Sequence, residues 1–433
     1  MTYSDVWDLD VFFEGGSSSV QLREHLETLE KKKAEFAKKE KMFQAPQSIE
    51  DSSQVANLID EAKEIMLYLR QAGAFIGCLE AQNMKDRKAD ALRGELTTAS
   101  ADFQVAFNSF QQKLSETPEN VWADLLQTDA LAELTFVLNE WREKAKDKLS
   151  SEEEALIQAL SIDGYHGWGQ MYDTIVGSME IPYNGETLSI GQANNLSSHP
   201  DEKVRKEIFD SLEKAWTEKE ELFAKTLNHL AGFRLNVYKK RGWDEVLKEP
   251  LEYNRMKKET LEAMWGAISK NKAPFVKYLD KKAKMLGKEK MDWYNMDAPV
   301  AESNSTMSYN EGADFILKHF ARFGNEMAEF AQKAFEDRWI EAEDRAGKRP
   351  GGFCTSFPLS EQSRIFMTYS GSMSNVATLA HELGHAFHSY ALRPMHTLNR
   401  NYAMNVAETA STFAEMIVAD AAVKEAQTKE EKI

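Results

Sequence analysis

The feature that most constrains this chain is the pattern His381-Glu382-Leu383-Gly384-His385, which lies in a stretch of helical periodicity. The spacing of the apolar residues there predicts an amphipathic helix with one face packed against a core. The apolar stripe consists of Val376, Leu379, Leu383, Phe387 and Tyr390. Both histidines lie off this stripe, and residues four apart on a helix project from the same face. The pattern therefore predicts a helix that presents two imidazoles side by side.

Two histidines one turn apart can bind a single metal ion, and Glu382 is then close enough to reach a water at that metal. This chemistry is typical of zinc-dependent peptidases. The alternative is a pair of hydrogen-bonded histidines without a metal. Gly384 costs about 1 kcal/mol relative to alanine in a helix interior. Either something must approach the backbone between the histidines, or the glycine permits tight helix packing.

A catalytic zinc ion usually has three protein ligands and one open position. His388 projects to the face of His381, but one straight helix cannot converge three imidazoles on one ion. Ala391 stands where the metzincin pattern requires its third histidine. The third ligand is therefore expected outside this helix.

We expect Glu408 to be that third ligand. It lies among small side chains on a helix predicted to begin near Tyr402, and small residues allow two helices to approach closely. Glu415, two turns further along the same face, is the alternative ligand or a partner that orients a histidine. His388 remains a candidate for orienting a metal ligand or for contacting the substrate. The alternative is a histidine that is merely exposed to solvent or packed.

Composition narrows the classes of partner. The formal net charge of the chain is −17, which argues against a nucleic-acid partner because phosphate backbones attract basic surfaces. Cys78 and Cys354 are the only cysteines, and they fit a reducing compartment. Neither a signal peptide nor a run of about 18 apolar residues is visible. We therefore expect a cytoplasmic protein with no membrane partner; its oligomeric state stays open.

Most of the sequence shows the 3.6-residue period, so the fold class is predicted to be mainly α. The N-terminal helices are expected at about 20–43, 52–83, 86–115, 118–127 and 129–148. Later helices are expected at about 201–241, 257–286 and 309–344. Asn184-Gly185 between β-favouring flanks predicts a small hairpin. We place an approximate domain boundary after this hairpin, which divides the chain into an N-terminal helical domain, 1–195, and a catalytic domain, 196–433.

Two strands are expected just before the histidine-bearing helix, within residues 349–358 and 364–371. Zincin clefts bind substrate by adding its extended backbone to an exposed strand edge, and this small sheet is well placed for that role. A hairpin that merely supports the helix is the alternative.

Several segments together resemble the oligoendopeptidase F family, relatives of thimet oligopeptidase. They are residues 351–355, 366–371, 381–388 and 406–411, with weaker similarity at 7–10 and 294–299. The resemblance implies a large multi-helix zincin-type fold with a deep substrate channel and cleavage of short peptides. It also implies one Zn²⁺ per chain held by His381, His385 and Glu408, with Glu382 as the catalytic glutamate. Family members continue past the third ligand, so this chain, ending at Ile433, is expected to be C-terminally shortened.

The predicted reaction is hydrolysis of an internal peptide bond by a zinc-activated water, with Glu382 as general base. Candidate oxyanion donors in this chain are Tyr369, His388, His396 and Tyr402. Two alternatives remain open: a zinc- and peptide-binding helical protein, or fragment, without turnover, and a structural zinc site. The second is weaker because structural sites usually have four ligands, often thiolates.

Overall fold

A computed structural model describes residues 2–300 and 306–427, and helices dominate it. The predicted end of the catalytic domain at Ile433 lies outside the described residues. The N-terminal half contains α1 (Val20–Met42), α2 (Ser52–Gln82), α3 (Arg87–Ser115), α4 (Glu119–Leu125), α5 (Thr135–Ala145), α6 (Ser151–Ser161), α7 (Gly167–Gly177) and α8 (Ile190–Asn195). The C-terminal half contains α9 (Glu202–Thr217), α10 (Glu220–Lys240), α11 (Lys248–Tyr253), α12 (Lys258–Lys270), α13 (Lys272–Met285), α14 (Tyr309–Phe323), α15 (Asn325–Glu336), α16 (Met373–Ala391) and α17 (Met404–Glu425). The mainly α fold class is confirmed.

Several expected helices are interrupted in the structure. The helix expected at 201–241 is two helices, α9 and α10, and the one expected at 257–286 breaks at Asn271. The helix expected at 309–344 breaks at Gly324, whose φ of −173° and ψ of 139° are extended. It also ends early, because residues 340 and 341 form a strand. The prediction of helix at those two residues was wrong, since tertiary pairing with the sheet overrides a local periodicity there.

The predicted hairpin is confirmed as β1 (Ile181–Tyr183) and β2 (Glu186–Leu188), which pair antiparallel. Asn184 and Gly185 join the strands with φ angles of 51° and 82°. Two consecutive positive φ angles match the twist of a two-residue hairpin, and asparagine and glycine tolerate them.

A second sheet lies beside α16, with strand order β3 (Ile340–Glu341), β5 (Gln362–Phe366), β4 (Phe353–Phe357). β4 and β5 lie where the two strands were expected from the sequence, although β5 ends at Phe366 and residues 367–371 are not strand. They pair antiparallel, whereas β3 pairs parallel to β5. Strand alternation points Phe366 into the N-terminal helical core and Ile365 into the core that α14 to α17 form. The sheet is thus shared by two cores, and β4 is an edge strand.

The opening segment of the chain, which includes Asp5 and Asp8, forms hydrogen bonds with this sheet and with the residues on either side of β3. The Ala342 backbone N–H donates to the Asp5 carbonyl at 2.7 Å, and the Asp8 N–H donates to the Arg338 carbonyl at 2.8 Å. Arg364 of β5 is fully buried, and its Nη2 donates to the Asp8 carbonyl at 2.8 Å. Residues more than 300 positions apart in sequence therefore meet behind the strands that support α16.

Within the described residues, no helix combines the length and the apolar character needed to cross a bilayer.

Candidate metal centre

Helix α16 begins where the sequence provides a cap. The Ser372 hydroxyl accepts a hydrogen bond from the Asn375 backbone N–H at 3.1 Å, which satisfies one of the free donors of the first turn. Val376, Leu379 and Leu383 of the predicted apolar stripe are fully buried. The helix is therefore fixed in rotation, and its histidine face is turned away from the core.

The two histidines lie side by side on that face. Their ring centroids are 4.9 Å apart, with an angle of 85° between the ring planes. Burial lowers the pKa of His385, although the Glu408 carboxylate opposes the shift. A neutral imidazole is the form that binds a metal ion.

Gly384 is the point where α17 crosses α16. A Cβ at this position would lie 2.7 Å from the Ala414 Cβ and 2.9 Å from the Ala410 carbonyl oxygen, both on α17. Real side chains do not tolerate such distances, so only glycine allows the two backbones to approach this closely. Tight helix packing explains the glycine, and the approaching element is the helix that carries Glu408.

Glu408 faces both histidines across this crossing. Its Oε2 lies 3.3 Å from His381 Nε2, and its Oε1 lies 3.7 Å from His385 Nε2. One ligand atom from each of the three residues lies within 4.8 Å of the others. Tetrahedral zinc ligands at about 2.0–2.1 Å from the metal are about 3.3 Å from one another. Two imidazoles and one carboxylate at this spacing fit a zinc ion with an open fourth position.

Glu415 and Ser411, also on α17, each contact one of these three residues. Glu415 Oε2 lies 3.2 Å from Nδ1 of His381, the ring nitrogen that faces away from Glu408. The Ser411 hydroxyl donates to Glu408 Oε2 at 2.9 Å. The sequence left Glu415 open as ligand or orienting partner, and its contact is that of an orienting partner. Ser411 had no assigned role, although a serine three residues after Glu408 lies within reach on a helix.

Glu382 is 6 % exposed, and its Oε2 has no hydrogen-bond partner among the described residues. On its other side, the backbone of Gly352 is so near that a Cβ there would lie 3.3 Å from Glu382 Oε1. Burial raises the pKa of Glu382 to about 7, with His381 opposing the rise and Glu408 adding to it. A buried carboxylate without partners is costly and is typical of functional sites.

The four candidate oxyanion donors have different surroundings. The Tyr369 hydroxyl donates to the Met307 carbonyl at 2.9 Å, and Nδ1 of His396 accepts from the Leu398 N–H, so both are held in structural contacts. His388 and Tyr402 lie together, with ring centroids 4.5 Å apart, and His388 is not part of the three-residue group. These two remain the candidates next to the metal face of α16.

Comparisons with known proteins match most of the chain. Residues 195–433 match the model of Peptidase family M3, and residues 113–181 match a model described as Oligopeptidase F. Oligopeptidase PepF of Bacillus subtilis is 25% identical over 307 residues, which are 68% of this chain and 45% of that protein. Group B oligopeptidase PepB of Streptococcus agalactiae is 22% identical over 388 residues, 87% of this chain and 64% of PepB. The chain therefore spans less than two thirds of these relatives.

Solved structures show the same fold at low sequence identity. A putative oligoendopeptidase F from Bacillus anthracis matches with a TM-score of 0.69 and 17% identity, over 91% of this chain and 71% of that one. Oligoendopeptidase-F from Enterococcus faecium matches with a TM-score of 0.61 and 16% identity, over 94% and 69% of the two chains. The resemblance noted in the sequence is confirmed. Since the family model covers more than half of its residues, the chain belongs to Peptidase family M3.

Proposed function

We propose that this chain is a zinc-dependent endopeptidase that hydrolyses internal bonds of short peptides, with one Zn²⁺ held by His381, His385 and Glu408. The observation that carries the proposal is the convergence of three ligand atoms beside a buried carboxylate, Glu382, with one free oxygen. Membership of Peptidase family M3 and the oligopeptidase names of the relatives support the substrate class.

Zinc bound by these residues would supply Lewis acidity, which polarises a carbonyl and acidifies water. Neighbouring side chains determine which atoms of these residues are free to bind the metal. His381 and His385 present Nε2 to Glu408, while Glu415 accepts the Nδ1 proton of His381 and so selects the nitrogen that stays free as a ligand. The hydroxyl of Ser411 orients Glu408.

Glu382 is proposed as the group that moves the proton. Its free Oε2 accepts a proton from the attacking water and delivers it to the amine that leaves. The near-complete burial of the side chain keeps competing water away from it. A divalent cation held by these ligands would lower the pKa of Glu382 from its raised value and so favour the ionised form, which is the form that acts as a base.

The edge strand β4 is proposed as the peptide-binding strand. It begins directly after Gly352, whose backbone lies against Glu382, and an extended peptide that pairs with this edge would pass the carboxylate. Tyr402 and His388 are the proposed contacts to the developing oxyanion. The deep channel implied by the family resemblance stays a prediction.

Two wider assignments are also proposals. We assign residues 1–195 to an N-terminal helical domain and 196–433 to the catalytic domain, as the sequence suggests. We also propose that the protein works in the cytoplasm.

The decisive experiment uses Glu382→Gln. A library of short peptides is incubated with the zinc-loaded chain, the variant and a chelator-treated sample, and the products are read by mass spectrometry. We expect the variant to keep its zinc, measured by elemental analysis, and to cleave about 10²–10⁴-fold more slowly, as for loss of a general base. Turnover that survives in the variant or in chelator would contradict the mechanism. Zinc and peptide binding without cleavage by the unaltered chain would favour the non-catalytic alternative.

A further inference from the structure

A cavity lies at the C-terminal end of α16, with a volume of about 130 Å³. Three arginines line it: Arg70 of α2, and Arg393 and Arg400 in the connection between α16 and α17, more than 300 residues further along the chain. Hydroxyls of Ser389 and Tyr402 line the same space. We call it the arginine cavity.

The three guanidinium groups have no carboxylate partner in the part of the chain that the structure describes. Among the residues described, none of the three forms an ion pair within 4.0 Å, although the chain carries 70 acidic residues against 53 basic ones. Glu361 also lines the cavity, but Arg393 contacts its backbone carbonyl rather than its carboxylate. This part of a strongly acidic chain is locally positive.

Most of the N–H donors on these arginines have no acceptor among the residues that the structure describes. Arg70 donates through Nη2 to the side chain of Asn401, and Arg400 donates to the carbonyls of Met395 and Arg393 at 2.8 and 2.7 Å. A guanidinium offers five N–H donors, so each group keeps several for a ligand. The pKa of Arg70 is lowered, first by burial and then by Arg400, as expected when two cations share one space.

The cavity adjoins the candidate metal centre on two elements. Ser389 donates to the carbonyl of His385 and lies about 6 Å beyond it along α16. Ser356 of β4, whose hydroxyl donates to Ser389 at 2.9 Å, lies about 13 Å along the strand from Gly352, the residue against Glu382. An extended peptide on β4 therefore spans the distance from Glu382 to the cavity with about three or four residues.

We propose that the arginine cavity binds a carboxylate of the substrate peptide, about three or four residues from the bond that is cut. This inference rests on the proposed peptidase function and adds a substrate preference to it. The carboxylate is either the terminal one of a short peptide or the side chain of an acidic residue, because guanidinium groups bind both in the same geometry.

Binding to the zinc-loaded Glu382→Gln chain tests the proposal without cleavage. The probes are octapeptides of one neutral sequence with a free or an amidated C-terminus, together with amidated versions that carry Glu or Gln at each position in turn. We expect one acidic form to bind at least about tenfold more tightly than its amide or Gln counterpart. A gain from the free C-terminus identifies the terminal carboxylate, and a gain from one Glu position identifies a side chain.

Arginine variants assign that gain to the cavity. Arg70→Gln, Arg393→Gln and Arg400→Gln should each reduce it, while Arg87→Gln, an exposed arginine paired with Asp90 on α3, should leave it unchanged. Arg70→Gln is the most informative variant. Arg70 donates to the side chain of Asn401 and not to the loop backbone, so its loss should disturb the loop least. Melting curves identify any variant that has lost its fold.

Equal binding of acidic and neutral peptides would overturn the inference and leave the peptidase function standing. So would a preference that persists in all three cavity variants. A preference that the variants remove, in a chain that never cleaves peptides, would support the cavity and contradict the peptidase function.

Discussion

Two helix pairs of this protein each contain a glycine in a helix interior, and they differ in what surrounds it. In α16 and α17, Gly384 meets the backbone of the other helix, and Val376, Leu379 and Leu383 are fully buried. In α12 and α13, a Cβ on Gly266 would meet nothing within 4 Å. The same pair leaves Trp265, Phe275 and Tyr278 exposed by 57%, 70% and 60%.

The difference shows what a metal centre requires of its scaffold. Glu408 reaches His381 and His385 only because Gly384 lets α17 approach closely, so the ligand spacing depends on one backbone contact. No comparable contact fixes α12 against α13. Parallel substitutions in the two pairs test this comparison.

The largest effect is expected for Glu408→Ala. Losing one of three ligands should weaken zinc binding by more than about 100-fold, since changes behind the ligands already cost about 10–100-fold. Asp280→Ala, an exposed carboxylate on α13, should leave zinc affinity unchanged. Competition with a chromogenic chelator measures both. Equal zinc affinity in the two variants would remove Glu408 from the donor set.

Glu415→Ala tests the support of the site rather than its ligands. The variant leaves Nδ1 of His381 without its carboxylate partner, and we expect zinc affinity or cleavage to fall by about 10–100-fold. The conservative variant Glu415→Gln, which can still accept the Nδ1 proton, should retain most of both. A larger loss than in Glu408→Ala would indicate that Glu415 is itself a ligand.

Gly384→Ala should destabilise the fold by about 1–3 kcal/mol, because an added methyl group overpacks the contact with Ala414 and Ala410. Zinc affinity should fall with it, since Glu408 moves away with α17. Chemical denaturation and zinc titration of the same sample measure the two effects. A variant of full stability and full zinc affinity would show that the crossing tolerates a wider separation.

Gly266→Ala is the matched substitution in the pair α12 and α13, and we expect the smallest effect there. It should raise the free energy of unfolding by up to about 1 kcal/mol, because alanine is the better helix former and the space is empty. Zinc affinity should not change. A destabilised variant would mean that α12 is covered by another part of the protein in solution.

Sequence reasoning succeeded where a local rule was enough. The Ser372 cap was not assigned, but the apolar stripe of α16 and the Asn184-Gly185 hairpin follow from periodicity and turn chemistry alone. It failed at residues 340 and 341, where pairing with β5 decides the conformation. Local periodicity cannot report a partner strand that lies more than twenty residues further along the chain.

The candidate site shows the same limit. Helical spacing brought His381 and His385 together, and the small side chains around Glu408 favoured it as the third ligand. The spacing also put Glu415 on the same face, which left Glu415 open as a ligand or an orienting partner. Only the packed position of α17 shows that Glu415 contacts the far nitrogen of His381. The arginine cavity had no sequence signal, because folding alone brings Arg70 next to residues more than 300 positions away.

The hydrogen bonds between the opening segment and the sheet have a consequence for folding during synthesis. Asp5 and Asp8 are synthesised more than 300 residues before their partners Arg338, Ala342 and Arg364. Contacts of such long sequence separation form late and fold slowly. A growing chain therefore lacks this support for α16 until Arg364 has been synthesised, and the candidate metal centre cannot be fully supported before that point.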